Sequence, residues 1–121
     1  MDKLLSGRRV LVVEDEMLIL IMIEDMLVDL GCESVTAAAT VSQAVALIEA
    51  EIFDVAMLDM NLNGDNSYVV ADALAARDVP FVFSTGYSGH DMRDGHRHRP
   101  VLKKPFMEKD LTEMLRCLLA P

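Results

Sequence analysis

A chain of 121 residues, 52% of them hydrophobic, buries roughly two thirds of its surface around one core and is too short for two. Its net charge of -9 excludes the cationic surface that a nucleic-acid backbone requires. The N-terminus Met1-Asp2-Lys3-Leu4-Leu5-Ser6-Gly7 lacks the cationic-then-apolar pattern of a secretory leader, and Cys32 and Cys117 show no CxxC spacing. The reading is a cytoplasmic chain with no membrane partner and two buried free thiols.

Strand and helix patterns alternate along the chain. Arg9 to Val13 is an apolar strand that ends in acid at Glu14-Asp15-Glu16, and a helix follows from about Met17 to Leu30. Gly31 stops it in the position that favours a left-handed cap. Ser34 to Ala38 is a weaker strand, and Thr40 or Ser42 caps a helix running to about Ala50. Val55 to Leu58 is apolar without alternation, the pattern of a strand covered on both faces, and it stops at Asp59. The segment Leu62-Asn63-Gly64-Asp65-Asn66-Ser67 is dense in turn formers and reads as a loop into a helix near Tyr68 to Ala76. Pro80 to Ser84 is a fourth strand, ending at Thr85-Gly86. Ser88 to Arg99 is polar and holds two glycines, so any helix there is short or irregular. Within it His90, His96 and His98, with Asp91 and Asp94, read as a solvated loop rather than a metal site. Val101-Leu102 is a fifth strand, closed by Lys103-Lys104-Pro105, and Glu108 to Leu119 is an amphipathic helix. Five strands, each followed by a crossover, predict an α/β fold with a parallel sheet between two helical layers. Residues 1–121 form one domain on this reading, with no output domain.

Polar residues gather where the strands end. The first strand offers Glu14 and Asp15, the third Asp59, the fourth Thr85 and the fifth Lys104. In open α/β sheets those ends face the crevice where ligands bind. Three carboxylates converging there repel, each pair by about 4 kcal/mol at 4 Å and an effective dielectric near 20, unless a cation joins them. With few ligands and no cage loop, oxygen donors favour Mg²⁺ over Ca²⁺. A glycine-rich phosphate cradle is missing after the first strand, which disfavours nucleotide binding. A carboxylate, Mg²⁺, a hydroxyl and a lysine suit phosphoryl transfer onto the carboxylate itself. Ser84 lacks the GxSxG elbow of a hydrolase nucleophile.

These residues resemble the receiver domain of bacterial two-component response regulators, over essentially the whole chain. The resemblance implies a flavodoxin-like (βα)5 fold with strand order 2-1-3-4-5 and a single-domain response regulator. It makes Asp59 the phosphoacceptor, Asp15 a direct Mg²⁺ ligand, Glu14 a ligand through water, and Asn61 a ligand through its backbone carbonyl. Thr85 is the switch hydroxyl, Lys104 the site lysine followed by a cis proline bond, and Lys103 its solvated neighbour. The implied donor is a phosphohistidine on a sensor histidine kinase or histidine phosphotransfer protein. The chain departs from the family pattern at Val101, where an aromatic switch residue often stands, and at Asn63, where proline is frequent. Phe83-Ser84-Thr85-Gly86-Tyr87 resembles instead the Phe-Ala-Thr-Gly-Tyr subfamily, nicknamed FAT GUY, in which Tyr87 would replace the missing ring.

The first helix carries a second pattern. Ile19, Leu20, Ile23, Met26, Leu27 and Leu30 form one core stripe, yet Met17, Leu18, Ile21, Met22 and Val28 lie outside it among Glu24, Asp25 and Asp29. Apolar residues on both faces imply a covered outer face, with Leu18, Ile21 and Met22 as docking residues. By the resemblance, their partner is the helical bundle that carries the phosphohistidine. The expected chain is not an enzyme beyond catalysing its own phosphorylation and dephosphorylation, and homodimerisation stays open. Two alternatives also stay open: a phosphorylation-independent scaffold, and a small Mg²⁺ phosphohydrolase. The latter generally needs a second acid where Asn61 stands.

Overall fold

The computed structural model describes residues 3–62, 65–86 and 100–119. In chain order the elements are β1 (Arg9–Val13), α1 (Met17–Asp29), β2 (Ser34–Ala38), α2 (Val41–Ala50), β3 (Val55–Asp59), β4 (Asn61–Leu62), β5 (Asp65–Asn66), α3 (Tyr68–Ala76), β6 (Phe81–Thr85), β7 (Val101–Lys103) and α4 (Glu108–Leu118). Five strands form one parallel sheet in the order β2-β1-β3-β6-β7. Leaving out the small hairpin β4-β5, this is the order 2-1-3-4-5 of the flavodoxin-like fold, with four helices among the described residues.

Side-chain alternation along the central strands divides the core into two halves. Leu11, Val13, Ala56, Leu58, Phe81 and Phe83 face α2 and α3, where Ala44, Ile48, Val70, Ala71 and Leu74 meet them. Val10, Val12, Val55, Met57 and Val82 face α1 and α4, against Leu20, Ile23, Leu27, Leu111 and Leu115. β3 is buried along its whole length, as its unbroken apolar run predicts. Both faces of the sheet are therefore committed to packing, and chemistry is left to the strand ends.

The ends of the helices follow from their sequences. α1 closes one residue earlier than its pattern suggests, with Leu30 as cap and Gly31 at φ +86. The Gly31 amide donates to the Val28 carbonyl at 2.9 Å and Cys32 to Leu27 at 3.4 Å, the double bond of a Schellman motif. A Cβ on Gly31 would also meet Lys3 Cβ at 2.7 Å. Thr40, rather than Ser42, caps α2, its Oγ1 accepting the Gln43 amide at 3.1 Å.

Two expectations are corrected. The turn-rich run after Asp59 is not wholly a loop, because Asn61-Leu62 and Asp65-Asn66 pair as an antiparallel two-residue hairpin. Both cysteines are free, but only Cys32 is partly buried; Cys117 is exposed on α4. The expected irregular fourth helix and the histidines 90, 96 and 98 lie outside the described residues. No helix among the described residues is long and apolar enough to cross a membrane.

Candidate functional site

The parallel sheet brings four strand ends to one edge. Glu14 and Asp15 follow β1, Asp59 ends β3, Thr85 ends β6 and Lys104 follows β7. Backbone hydrogen bonds tie each of these ends to a neighbouring strand. The Glu14 amide donates to Ala38 of β2 at 3.0 Å, Met60 to Ser84 of β6 at 2.9 Å, and Lys104 to Thr85 at 2.8 Å. Lys104-Pro105 is a cis peptide, as the resemblance implies. Glu14, Asp59 and Thr85 are buried, while Asp15 is half-buried.

Lys104 binds two of the carboxylates at once. Its Nζ donates to Glu14 Oε1 at 2.8 Å and to Asp59 Oδ2 at 3.2 Å. The other oxygen of Glu14 accepts the Glu16 amide at 3.2 Å. One oxygen from each of Glu14, Asp15 and Asp59 lies within 4.8 Å of the others, so Asp15 joins the two acids that share the Lys104 ammonium. Burial pushes the Glu14 carboxyl above its ordinary value and the neighbouring Asp59 adds to this, although the bond from Lys104 pulls the other way. For Lys104 burial favours the neutral form, but the bond to Glu14 and the charges of Asp59 and Glu14 outweigh it and hold the ammonium above 10.5. The Lys104 direction reflects the negative charge around it, whereas that of Glu14 reflects burial first and the neighbouring Asp59 second. Hard oxygen donors in surplus fit a divalent cation such as Mg²⁺.

Glu14, Asp15, Asp59 and Lys104 are thus brought together, and Thr85 stands beside Lys103 at the end of the neighbouring strand pair. Asn61 lies in β4, two residues from Asp59, and Tyr87 falls outside the described residues. Lys103 is exposed, as expected of a solvated neighbour. On α1, Leu18 is 79% exposed, and Met17, Ile21, Met22 and Val28 are exposed with it. Beside that face runs a groove of about 320 Å³ lined by Ile19, Met22, Ile23, Met26, Pro105 and Phe106, with Lys104 among its walls. Sequence reasoning passed over this groove because its two sides, α1 and the segment after β7, lie far apart in the chain. It also passed over Ser67, which is buried and donates its hydroxyl to the Met60 carbonyl at 3.0 Å. A serine before a helix reads as a cap, so no signal separated it.

Comparison with known proteins gives a consistent result. Residues 10–116 match the family of the response regulator receiver domain. The solution structure of SdrG from Sphingomonas melonis Fr1 is 42% identical, with a TM-score of 0.77 over 97% of this chain and 98% of that one. Against the BeF3-activated conformation of SdrG the identity is 44% and the TM-score 0.81, covering 95% and 98% of the two chains. The receiver domain of sensor histidine kinase PA1611 from Pseudomonas aeruginosa PAO1, which has a magnesium ion coordinated in its active site cleft, is 28% identical with a TM-score of 0.78 over 96% of this chain and all of that one. Among curated proteins, the transcriptional regulatory protein PdtaR of Mycobacterium tuberculosis is 32% identical over 108 residues. The match covers 86% of this chain and 53% of PdtaR, so the chain spans about half the length of that relative.

Proposed function

The chain belongs to the response regulator receiver domain family, and from that premise we propose that it takes a phosphoryl group from a phosphohistidine onto Asp59. A carboxylate oxygen of Asp59 forms the new bond to phosphorus while the bond from phosphorus to the imidazole nitrogen breaks, and that nitrogen leaves with the electron pair. Glu14, Asp15, Asp59 and the Asn61 carbonyl would hold Mg²⁺, which when bound neutralises charge on the phosphoryl oxygens. Lys104 turns from its carboxylate partners toward the incoming oxygens, and the Thr85 hydroxyl donates to one of them. The observation that carries this reading is the Lys104 ammonium shared by Glu14 and Asp59 with Asp15 at hand, a charge pattern that already anticipates a cation and an anion together. The BeF3-activated conformation of SdrG supports it, since such a fluoride complex has the tetrahedral shape of a phosphoryl group.

In this reading the exposed α1 face, with Leu18, Ile21 and Met22, docks against the helical bundle of a sensor histidine kinase or phosphotransfer protein. Output follows by protein contact, either as relay of the phosphoryl group or as a change in affinity for a partner, with Thr85 and Tyr87 as the switch pair. Replacing Tyr87 by alanine is expected to uncouple phosphorylation from partner affinity; unchanged coupling would remove Tyr87 from the switch.

The direct test is incubation with Mg²⁺ and acetyl phosphate, read by intact mass beside Asp59→Asn and a chelated control. One phosphoryl group gained only by the unsubstituted chain with Mg²⁺ is the expected result. No gain, repeated with a phosphohistidine protein as donor, would leave a scaffold that keeps the residues without using them.

A further inference from the structure

Ser67 immediately precedes α3, at the position where a serine ordinarily accepts an amide of the first helical turn. Its hydroxyl makes no such bond. It donates instead to the Met60 carbonyl at 3.0 Å, and the residue is 1% exposed. Met60 directly follows Asp59, and its own amide is taken by Ser84 of β6 at 2.9 Å. Both backbone polar groups of Met60 are therefore held, one by the sheet and one by Ser67. The hairpin β4-β5, with Asn61 opposite Asn66 and Leu62 opposite Asp65, returns the chain so that Ser67 can reach Met60. A helix of nine residues forgoes a side-chain cap for this contact.

We propose that Ser67 is a positioning residue for the metal site. The Met60 carbonyl and the Asn61 amide share one planar peptide, so holding that oxygen sets the plane from which Asn61 leads off. On the function proposed above, on which this inference rests, the Asn61 carbonyl is one of the groups that hold Mg²⁺. Without the Ser67 hydroxyl the peptide can rotate, and the carbonyl must be ordered each time the cation binds. Supporting groups of this kind typically change metal affinity by tenfold or more.

The test is calorimetric titration of Mg²⁺ into the full chain, Ser67→Ala and Ser67→Thr, with thermal unfolding of each in chelator. Ser67→Ala is expected to bind Mg²⁺ about tenfold more weakly, while Ser67→Thr, which keeps the hydroxyl, binds like the unsubstituted chain. Affinity in Ser67→Ala within about twofold of the original overturns the proposal, and so does equal weakening in both variants. If Ser67→Ala does not fold, amide resonances of the unsubstituted chain decide. Met60, Asn61 and Ser67 should shift along one Mg²⁺ binding curve, and an unmoved Ser67 overturns the inference. Absence of Mg²⁺ binding by the unsubstituted chain would overturn the receiver function itself, an outcome distinct from a failure of Ser67 alone.

Discussion

Glu14 bears an electrostatic cost that Lys104 offsets only in part. Its folded-state pKa lies above its ordinary value, so its protonated form is the one that favours folding. That contribution is present below the unfolded value near 4.5 and is lost as pH rises through the raised one. At pH 7 in chelator, Glu14→Gln should therefore be more stable than the original chain, and the gain should shrink as the pH falls toward 4.5. Urea midpoints at two pH values measure this; a glutamine variant less stable at pH 7 would show that the Lys104 bond outweighs burial. Mg²⁺ binding should weaken over the same fall in pH, because protons then compete for an acid that binds them unusually well. The acids and the lysine were legible in the sequence because each terminates a strand, where the fold has one place to put it. Ser67 was not, because one hydroxyl beside a helix has two uses that the sequence does not distinguish.

α1 and α3 close with the same backbone motif, and the comparison between them shows what each residue contributes. After α3, the Asp78 amide donates to Ala75 at 3.1 Å and Val79 to Leu74 at 3.0 Å, as Gly31 and Cys32 do after α1. The left-handed residue is glycine after α1 but Asp78, at φ +57, after α3. Aspartate tolerates that region less well than glycine, so Asp78→Gly should raise stability by about 0.5–1 kcal/mol, read from urea midpoints at constant slope. The outer face of α1 predicts the opposite dissociation of stability from function. Replacing Leu18, Ile21 and Met22 together by alanine removes exposed side chains, so stability should change little. Phosphorylation by acetyl phosphate should also be unchanged, while transfer from a phosphohistidine protein falls roughly five- to thirtyfold, as a loss of about 1–2 kcal/mol of docking requires. Equal rates from both donors would place the contact elsewhere. At this scale the sequence predicted every strand of the main sheet to within a residue or two, most clearly β1 and β3, whose apolar runs end on acid. It missed β4-β5 because two strands of two residues, Asn61-Leu62 and Asp65-Asn66, are too short to carry a periodicity.

Across the whole molecule, the carboxylates of the site come from residues 14, 15 and 59, and they meet only when the sheet is built. A cation held there binds the native chain and not the unfolded one, so it must raise stability by mass action. At a free concentration one hundred times its dissociation constant, Mg²⁺ should contribute about 2.7 kcal/mol. For a domain of this size that corresponds to a rise in melting temperature of roughly 10 °C. The net charge of -9 complicates the reading, since any salt screens self-repulsion in so acidic a chain and raises stability without a site. Screening depends on ionic strength, whereas site binding depends on Mg²⁺ and on the ligands. The melting curve is therefore taken in Mg²⁺, in sodium chloride of equal ionic strength, and with Asp15→Asn in both. A shift specific to Mg²⁺ and lost in Asp15→Asn assigns the stabilisation to the three-carboxylate cluster. An equal shift in sodium chloride would reduce it to screening, and the cluster would then lack the cation that its surplus charge is built to hold.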